Sequence, residues 1–279
     1  MTETFTCDGT CPNCGSATTY RAENPWFRDY LTCWNCPGGS VPRERAIAWA
    51  LNTFAPSWRT MRTLECAPSS NRGVSLRTAA ESQDLTVMNY FPDEVPGVVI
   101  YPEAAPAPGT APEASPEVVV GQDATTAVVA KGVHNQNLEQ MTFPNASFEL
   151  FIASDVLEHV TAPDAALAEI GRVLKKGGIM IMTFPMRNFL VEPTKVRARL
   201  NADGSIEHLT EPEIHGNPFD ESGSLVFTDF GYDIHKAMAE WSGLDIMITR
   251  FASPSLGLLG EYTDVVIGWK SGFESPPEG

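Results

Sequence analysis

The chain has 279 residues and a formal net charge of −16, and 43% of its residues are hydrophobic. This length can bury a substantial core, and it suits one large domain or a large domain with a small one. The negative charge disfavours a nucleic-acid partner, because phosphate binding relies on clustered lysines and arginines, and the sequence contains no such cluster. Charge that maintains solubility is the simpler interpretation.

The sequence contains no apolar run near the ~20 residues that a membrane-spanning helix requires. Its first residues, MTETFTCDG, contain neither a basic segment nor an apolar one, so they lack the pattern of a secretory signal peptide. From these two features we expect a cytoplasmic protein that has no membrane partner.

The N-terminal segment, residues 1–45, holds five of the six cysteines. Four of them form two C-x-x-C pairs separated by eighteen residues: Cys11, Cys14, Cys33 and Cys36. Two such turns can place four thiolates around one tetrahedral zinc ion, and this ion would be structural because no position is left for water. So short a segment would depend on the metal to fold. We therefore predict a zinc-ribbon-like segment, with buried free cysteines or a redox pair as alternatives.

The next segments predict a connecting helix and the start of a larger domain. Apolar positions of VPRERAIAWALNTF (41–54) recur at helical spacing, so residues 46–61 are interpreted as a linking helix. A short strand follows at Arg62, and LTVMNYF (85–91) predicts another strand. We assign residues 62–271 to one α/β domain and residues 272–279 to a flexible tail.

Residues 102–132 stand apart by their composition. The first half, PEAAPAPGTAPEASPE, contains five prolines, which predicts a flexible and partly polyproline-II insertion. The Val-rich second half is compatible with a small hairpin. A lid over an active site and a decoration at a surface edge are both open interpretations.

The most regular pattern covers residues 148–185. FELFIAS (148–154) has the composition of a buried strand, and a helix follows whose N-cap is predicted at Thr161 and whose end is predicted at Gly177. Residues 179–184 form a second apolar strand. A strand, a crossover helix and a returning strand make one parallel βαβ unit, whose ligands bind at the carboxyl ends of the strands.

A long connection over residues 186–227 follows this unit, and connections of this length are often functional. His215 lies within it and is followed by turn residues that would fix its backbone, as suits a general base. A histidine in a surface turn is the alternative. A further helix is predicted over residues 232–241 and two strands over residues 245–251 and 262–269.

SDVLEHV (154–160) and EIGRVLKKGG (169–178), followed by a strand that ends in proline, resemble the second half of class I methyltransferases that depend on S-adenosylmethionine (SAM). The resemblance extends from about Arg62 to Lys270. It implies an α/β fold with a doubly wound, Rossmann-like sheet of seven strands in the order 3-2-1-4-5-7-6. An unrelated βαβ unit of another doubly wound protein is the alternative.

The resemblance also implies a cofactor site. ECAPSSNRG (65–73) stands at the first family motif, a Gly-rich loop near the methionine part of SAM, but with Ala, Ser and Asn where glycines are usual. Asn89 stands near an acidic position that holds the ribose hydroxyls. Residues 133–144 stand at the loop after the third strand, where Asn137 matches a polar side chain that binds adenine. The implied cofactor-binding residues are Glu65, Ala67, Pro68, Ser69, Asn89, Tyr90, Asn137, Leu138, Ser154 and Asp155.

The expected function is methyl transfer from SAM to a small-molecule or glycan acceptor. His215 is the first candidate for a general base and His159 the second, and the expected cofactors are SAM and a structural zinc ion. Two alternatives remain open. One is an RNA methyltransferase, because some RNA-modifying members of the fold carry N-terminal zinc ribbons. The other is a scaffold protein that kept the fold without catalysis, which the unusual first motif and Asn89 favour. The sequence predicts no oligomeric state.

Overall fold

The computed structural model describes residues 4–68, 72–100, 132–186, 192–217 and 220–271. Ser69, the predicted hairpin of the insertion and the C-terminal tail therefore lie outside the described residues. Among the described residues, none of the helices is long and apolar enough to cross a membrane.

The N-terminal module begins with an antiparallel hairpin of β1 (Phe5–Thr10) and β2 (Ala17–Ala22). The first cysteine pair forms the connecting turn of this hairpin. The short helix α1 (Phe27–Tyr30) follows, and α2 (Pro42–Phe54) completes the module. The backbone amide of Val41 donates to the Glu44 carboxylate at 3.0 Å and fixes the start of α2.

The remaining strands, in chain order, are β3 (Arg62–Cys66), β4 (Asp84–Asn89), β5 (Val99–Ile100), β6 (Val133–Asn135), β7 (Phe148–Ser154), β8 (Leu174–Thr183), β9 (Lys195–Val196), β10 (Ala198–Leu200), β11 (Ile206–His208), β12 (Ile214–Asn217), β13 (Asp220–Leu225), β14 (Thr228–Asp229), β15 (Asp245–Thr249) and β16 (Val265–Trp269). The other helices are α3 (Gly73–Glu81), α4 (Pro163–Val173) and α5 (Ile234–Ser242).

The main sheet has eight strands in the order β15-β16-β8-β7-β3-β4-β6-β5. Strands β6, β4, β3, β7 and β8 run parallel, and β16 pairs antiparallel with β8 and β15. Read from β6, this is the order 3-2-1-4-5-7-6, which confirms the predicted doubly wound fold. The eighth strand, β5, adds a two-residue antiparallel edge to β6.

The predicted central unit is confirmed, but its helix has different ends. Helix α4 begins at Pro163 after Ala162 and has no side-chain cap, because the Thr161 hydroxyl donates to Glu139 at 2.8 Å instead. Strand β8 starts directly at Leu174, so Gly177 lies within the strand rather than at the helix end. A register shift between Phe148 and Leu150 accommodates this early start.

One further expectation, the position of the third strand, is corrected. Residues 133–135 were expected in the loop after the third strand, yet they form that strand itself by pairing in parallel with β4. The long connection after β8 forms three two-stranded sheets, which pair β9 with β14, β10 with β11, and β12 with β13. His215 therefore lies in a hairpin strand and not in a turn.

Hydrophobic side chains cover both faces of the main sheet. Side chains along β7 point alternately to the two faces of the sheet. Leu150 and Ile152 therefore pack in a cluster with α2, whereas Phe151 packs in a cluster with α4 and α5. Trp58, 1% exposed, lies in the first of these clusters. Helix α2 is thus one of the layers of the α/β domain as well as a connection to it.

Candidate active site

The carboxyl ends of the parallel strands meet at one edge of the sheet. The register pairs Cys66 of β3 with Met88 of β4 and with Ala153 of β7, and it pairs Ser154 with Thr183 of β8. The residues that follow these strands therefore surround one crevice, which is where doubly wound sheets bind their ligands. The sequence-predicted cofactor residues of β3, β4 and β7 all lie at this edge.

Two residues at this edge have a left-handed backbone without being glycine. Ala67, directly after β3, has φ 46°, and Asp155, directly after β7, has φ 54°. Such a conformation costs about 1–2 kcal/mol for a residue with a Cβ atom, and strain of this kind concentrates at functional sites. Backbone bonds hold both residues, from the amide of Ala67 to Met88 and from the amide of Asp155 to Thr183, each at 2.8 Å. The first motif thus keeps its sharp turn without glycine at this position.

The Glu65 carboxylate at the end of β3 is buried, and it accepts hydrogen bonds from the hydroxyls of Ser75 at 2.7 Å and Thr78 at 2.5 Å. Burial raises the pKa of Glu65, although both hydrogen bonds act in the opposite direction. Its oxygens fix α3 against the strand in this structure. A contact between Glu65 and the amino group of SAM stays a prediction.

The residues predicted to hold the nucleoside have mixed environments. Tyr90 is 55% exposed, whereas Asn89 is buried and donates to the carbonyl of Tyr90 at 3.3 Å. The side-chain oxygen of Asn137 accepts from the amide of Glu139 at 2.9 Å, and Leu138 packs in the core. Tyr90 is therefore the most exposed residue of this set.

Asn135 is a residue of this edge that sequence reasoning missed. Its Nδ2 donates to the carbonyls of Phe91 at 3.1 Å and Glu94 at 2.8 Å, and its Oδ1 accepts from the Phe91 amide. These bonds shape the loop after β4. An Asn next to a strand end is common in loops, so neither its type nor its position indicated this arrangement.

The Asp155 carboxylate binds two arginines of the N-terminal module. Arg28 Nη2 lies at 2.7 Å and Arg43 Nε at 3.4 Å, and the Thr183 hydroxyl donates at 3.2 Å. Burial alone would raise the pKa of Asp155, but the two guanidiniums and Thr183 outweigh it, so the pKa is lowered. Ser154, the neighbouring predicted residue, has its hydroxyl 3.2 Å from that of Thr183.

The N-terminal module also packs on the loop of the first motif. The amide of Gly73 donates to the carbonyl of Gly39 at 3.0 Å, and Arg72 pairs with Glu44 at 3.1 Å. A Cβ atom at Gly73, where φ is +64°, would lie 2.2 Å from the Glu44 carboxylate. The module therefore touches two of the loops that border the crevice, a role that the sequence did not indicate.

Just beyond Asp155 lies a group that we call the histidine–carboxylate cluster: Glu158, His159 and His215. The Oε1 atom of Glu158 is 3.6 Å from Nε2 of His159 and 3.8 Å from Nδ1 of His215. The two imidazole rings stand edge to face with centroids 5.1 Å apart. The β12–β13 hairpin brings His215 here, so the structure brings both sequence-predicted catalytic histidines together.

Glu158 has the most unusual environment of the three. It is 1% exposed, and neither of its carboxylate oxygens has a hydrogen-bond partner among the described residues. Burial raises the pKa of Glu158 to about 8, and the nearby charge of Asp155 acts in the same direction. Burial also lowers the pKa of His159, which favours its neutral ring.

In each imidazole ring, the nitrogen farther from Glu158 lies within hydrogen-bond distance of an oxygen atom outside the cluster. Nδ1 of His159 lies 2.9 Å from the carbonyl oxygen of Leu225, and Nε2 of His215 lies 3.1 Å from Oε1 of Glu213. Glu213 was not singled out from the sequence, because its contact with His215 requires an extended strand that the sequence did not predict there.

The four predicted zinc ligands come together in the N-terminal module. Their sulfur atoms all lie within 4.8 Å of one another, with 3.6 Å between Cys11 and Cys36 and 4.0 Å between Cys14 and Cys33. Sulfurs around a tetrahedral zinc ion are about 3.8 Å apart, given Zn–S bonds of about 2.3 Å. The cysteine cluster therefore fits a four-thiolate zinc ion.

Arg45 holds the module against the rest of the chain. Its Nη2 donates to the carbonyls of Leu31 at 2.7 Å and Gly257 at 2.6 Å, and its guanidinium stacks on the Tyr20 ring at 4.6 Å. The side chain is fully buried. The cysteine cluster and the main sheet are thus parts of one packed structure.

Residues 101–182 match the family model of a methyltransferase domain. A comparison with curated protein sequences gave no significant match. Similar solved structures include a SAM-dependent methyltransferase from Mesorhizobium loti (14% identity, 80% of this chain and 96% of that chain covered, TM-score 0.45). Another is the 1,6-didemethyltoxoflavin-N1-methyltransferase from Burkholderia thailandensis (13% identity, 82% and 78% covered, TM-score 0.44). These similarities are too distant to support an argument about function.

The assignment therefore depends on two observations that agree. The family match covers the segment that contains the SDVLEHV motif, and the sheet of this chain has the strand order 3-2-1-4-5-7-6 with its crevice at the carboxyl edge. Residues 101–182 thus match a methyltransferase domain, and the main sheet has the strand order of class I SAM-dependent methyltransferases.

Proposed function

We propose that the protein transfers the methyl group of SAM to a nucleophilic atom of a small-molecule or glycan acceptor. The observation that carries this proposal is the position of the histidine–carboxylate cluster, which directly follows β7 at the carboxyl edge of the sheet. Groups that can bind an acceptor and take up its proton thus border the crevice of a methyltransferase domain.

SAM, when bound, supplies a methyl carbon already activated by its sulfonium charge. The protein then needs mainly to align the nucleophile with this carbon and to exclude water. The loops after β3, β4 and β7 would hold the cofactor through the residues that the family resemblance assigns. The left-handed backbone of Ala67, with φ 46°, supports this role, because strain of this kind concentrates at functional sites.

In this proposal His215 is the first candidate for the general base. Its Nε2 faces the carboxylate of Glu213, so the hydrogen of a neutral ring would reside there and Nδ1 would be free to accept a proton. His159, whose Nδ1 faces the Leu225 carbonyl, is the second candidate. A hydroxyl acceptor needs such a base most, since it must lose its proton during the transfer.

The net charge of −16 supports an acceptor other than nucleic acid. The four cysteines would bind zinc as a structural ion, which stabilises the module that packs on the crevice loops. Zinc in this position would act on the reaction only through the placement of those loops.

The test incubates zinc-loaded protein with SAM that carries a labelled methyl group. Separate fractions of metabolites, glycans and RNA serve as acceptors, and mass spectrometry identifies the labelled product. We expect label in a metabolite or glycan fraction and none in RNA. Label confined to RNA would contradict the acceptor class, and label in no fraction would contradict the proposal as a whole.

A further inference from the structure

In both His159 and His215, the ring nitrogen nearest Glu158 carries a lone pair. A carbonyl oxygen only accepts hydrogen bonds, so Nδ1 of His159, 2.9 Å from the Leu225 carbonyl, holds the ring hydrogen and leaves Nε2 with a lone pair. The Glu213 carboxylate selects the hydrogen on Nε2 of His215 in the same way, at 3.1 Å, and Nδ1 keeps the lone pair.

Both lone pairs face the same buried carboxylate. Nε2 of His159 and Nδ1 of His215 lie 3.6 and 3.8 Å from Oε1 of Glu158. No hydrogen-bond donor among the described residues reaches either oxygen of this side chain, which is 1% exposed. A buried charge without a partner costs several kcal/mol, and three acceptor atoms that face one another repel. A cation between these three atoms would neutralise the buried charge and remove the repulsion.

The dimensions of the cluster suit a metal ion. One ligand atom from each residue can be chosen so that all three lie within 4.8 Å of one another. Ligands of a divalent transition metal, bound at about 2.0–2.2 Å, lie about 3–3.6 Å apart. The two distances from Oε1 of Glu158 to the imidazole nitrogens, 3.6 and 3.8 Å, lie at or just above the upper end of this range. The outer hydrogen bonds to Leu225 and Glu213 are of the type that orients histidine ligands of metals.

We propose that Glu158, His159 and His215 bind one divalent transition-metal ion, separate from the zinc ion of the cysteine cluster. Two imidazoles and one carboxylate leave coordination positions open. The side chains of His159 and His215 are 16% and 29% exposed, so this open side faces solvent and the acceptor.

The role of this metal ion in the reaction depends on the proposed function and deepens it. In this role, the ion would bind a hydroxyl group of the acceptor. A hydroxyl on a divalent metal loses its proton to solvent more readily. Its oxygen then forms the bond to the methyl carbon, and the carbon–sulfur bond breaks with its electron pair staying on sulfur. The products are the methyl ether and S-adenosylhomocysteine. His215 is a ligand in this arrangement, so the metal replaces it as the group that activates the hydroxyl.

Metal binding can be tested without any acceptor. Zinc-loaded protein is titrated with Mn²⁺, followed by electron paramagnetic resonance, and with Co²⁺, followed by absorption. We expect one Mn²⁺ or Co²⁺ per chain in addition to the zinc. Glu158→Gln and His159→Gln, which keep similar volumes, should each weaken this binding at least about tenfold. His235→Gln changes an exposed histidine outside the cluster and should leave the binding unchanged.

Binding of neither ion, or equal affinity in the wild-type protein and in folded Glu158→Gln and His159→Gln variants, would overturn the metal site. A proton on Glu158 would then explain the cluster. The two proposals fail separately. Methyl transfer by zinc-loaded protein that binds no second ion leaves the proposed function standing, whereas a second ion without methyl transfer to any acceptor leaves only the metal site.

Discussion

The guanidinium of Arg28 lies 2.7 Å from the carboxylate of Asp155, and their side chains are only 6% and 17% exposed. Arg28 belongs to the short helix of the cysteine module, and Asp155 has a strained backbone at the end of a central strand. This ion pair therefore connects the module that would bind zinc with the crevice that would bind SAM. Arg28 also donates to the carbonyl of Tyr262 at 3.1 Å, which fixes the guanidinium.

Removal of one partner of this pair should destabilise the protein strongly. Arg28→Met and Asp155→Asn should each lower the free energy of unfolding by about 3 kcal/mol, because each leaves a largely buried group without its partner. The double variant should lose clearly less than the sum. Urea denaturation measures these values. Arg21→Met, at an exposed site of the same module, is the control and should change stability by less than about 0.5 kcal/mol. Additive losses would show that the two side chains do not interact.

The same pair should give a defined dependence of stability on pH. The folded protein holds the pKa of Asp155 below its ordinary value, so the contribution of this carboxylate is present above about pH 4 and is lost as the pH falls through the lowered pKa. The stability difference between wild type and Asp155→Asn should therefore be constant from about pH 7 to about pH 5 and should shrink towards about pH 3. A stability difference between wild type and Asp155→Asn that grows as the pH falls would contradict this prediction.

Zinc content should depend on the four clustered cysteines. Cys33→Ser should reduce bound zinc to well below one ion per chain and lower the melting temperature, because three thiolates bind the ion much more weakly. Cys7 lies outside the cluster, with its sulfur 3.7 Å from the Pro254 carbonyl, so Cys7→Ser should keep stoichiometric zinc. Elemental analysis of both variants tests this, and full zinc content in Cys33→Ser would refute the site.

His215→Gln should lower kcat at least about 100-fold while the Kd for SAM changes less than about twofold. In the proposed function the imidazole lies on the acceptor side of the crevice, whether it accepts a proton or binds a metal, so its loss should affect the transfer step and not the cofactor. His235→Gln is again the control. Equal turnover in His215→Gln and wild type would remove His215 from the site, and a parallel loss of SAM affinity would assign it to the cofactor instead.

Asn89→Asp should tighten SAM binding. The family resemblance implies an acidic residue near this position that holds the ribose hydroxyls, and a carboxylate accepts such bonds more strongly than an amide. We expect about a fivefold lower Kd, which corresponds to about 1 kcal/mol. Calorimetric titration of both proteins measures it. Weaker binding in Asn89→Asp would show that Asn89 does not face the ribose.

The strand order of the main sheet could be predicted because the SDVLEHV and EIGRVLKKGG motifs resemble those of a family whose sheet has this order. The central βαβ unit could be predicted from the residues alone, because its apolar runs and crossover helix lie within one short segment and such a unit admits one handedness. The third strand was misplaced because Val133–Asn135 is only three residues long and gains its identity by pairing with β4. The start of α4 was also misassigned, because Thr161 binds Glu139 and does not cap the helix.

Part of the candidate site could also be predicted from the sequence. The cysteines were found by spacing, and His159 and His215 by motif and position. The partners Arg28 and Arg43 of Asp155 could not be found, since 127 positions separate Arg28 from Asp155 and only docking of the module brings them together. Glu213 was missed for a different reason: it lies two residues before His215, on the same face of an extended segment that the sequence did not indicate.

The most direct test of the account is calorimetric titration of the zinc-loaded protein with SAM. The account predicts saturable binding of one SAM per chain, competition by S-adenosylhomocysteine and a higher melting temperature with cofactor present. Neither heat nor a shift in melting temperature at millimolar SAM would contradict the account, because a methyltransferase domain must bind its methyl donor.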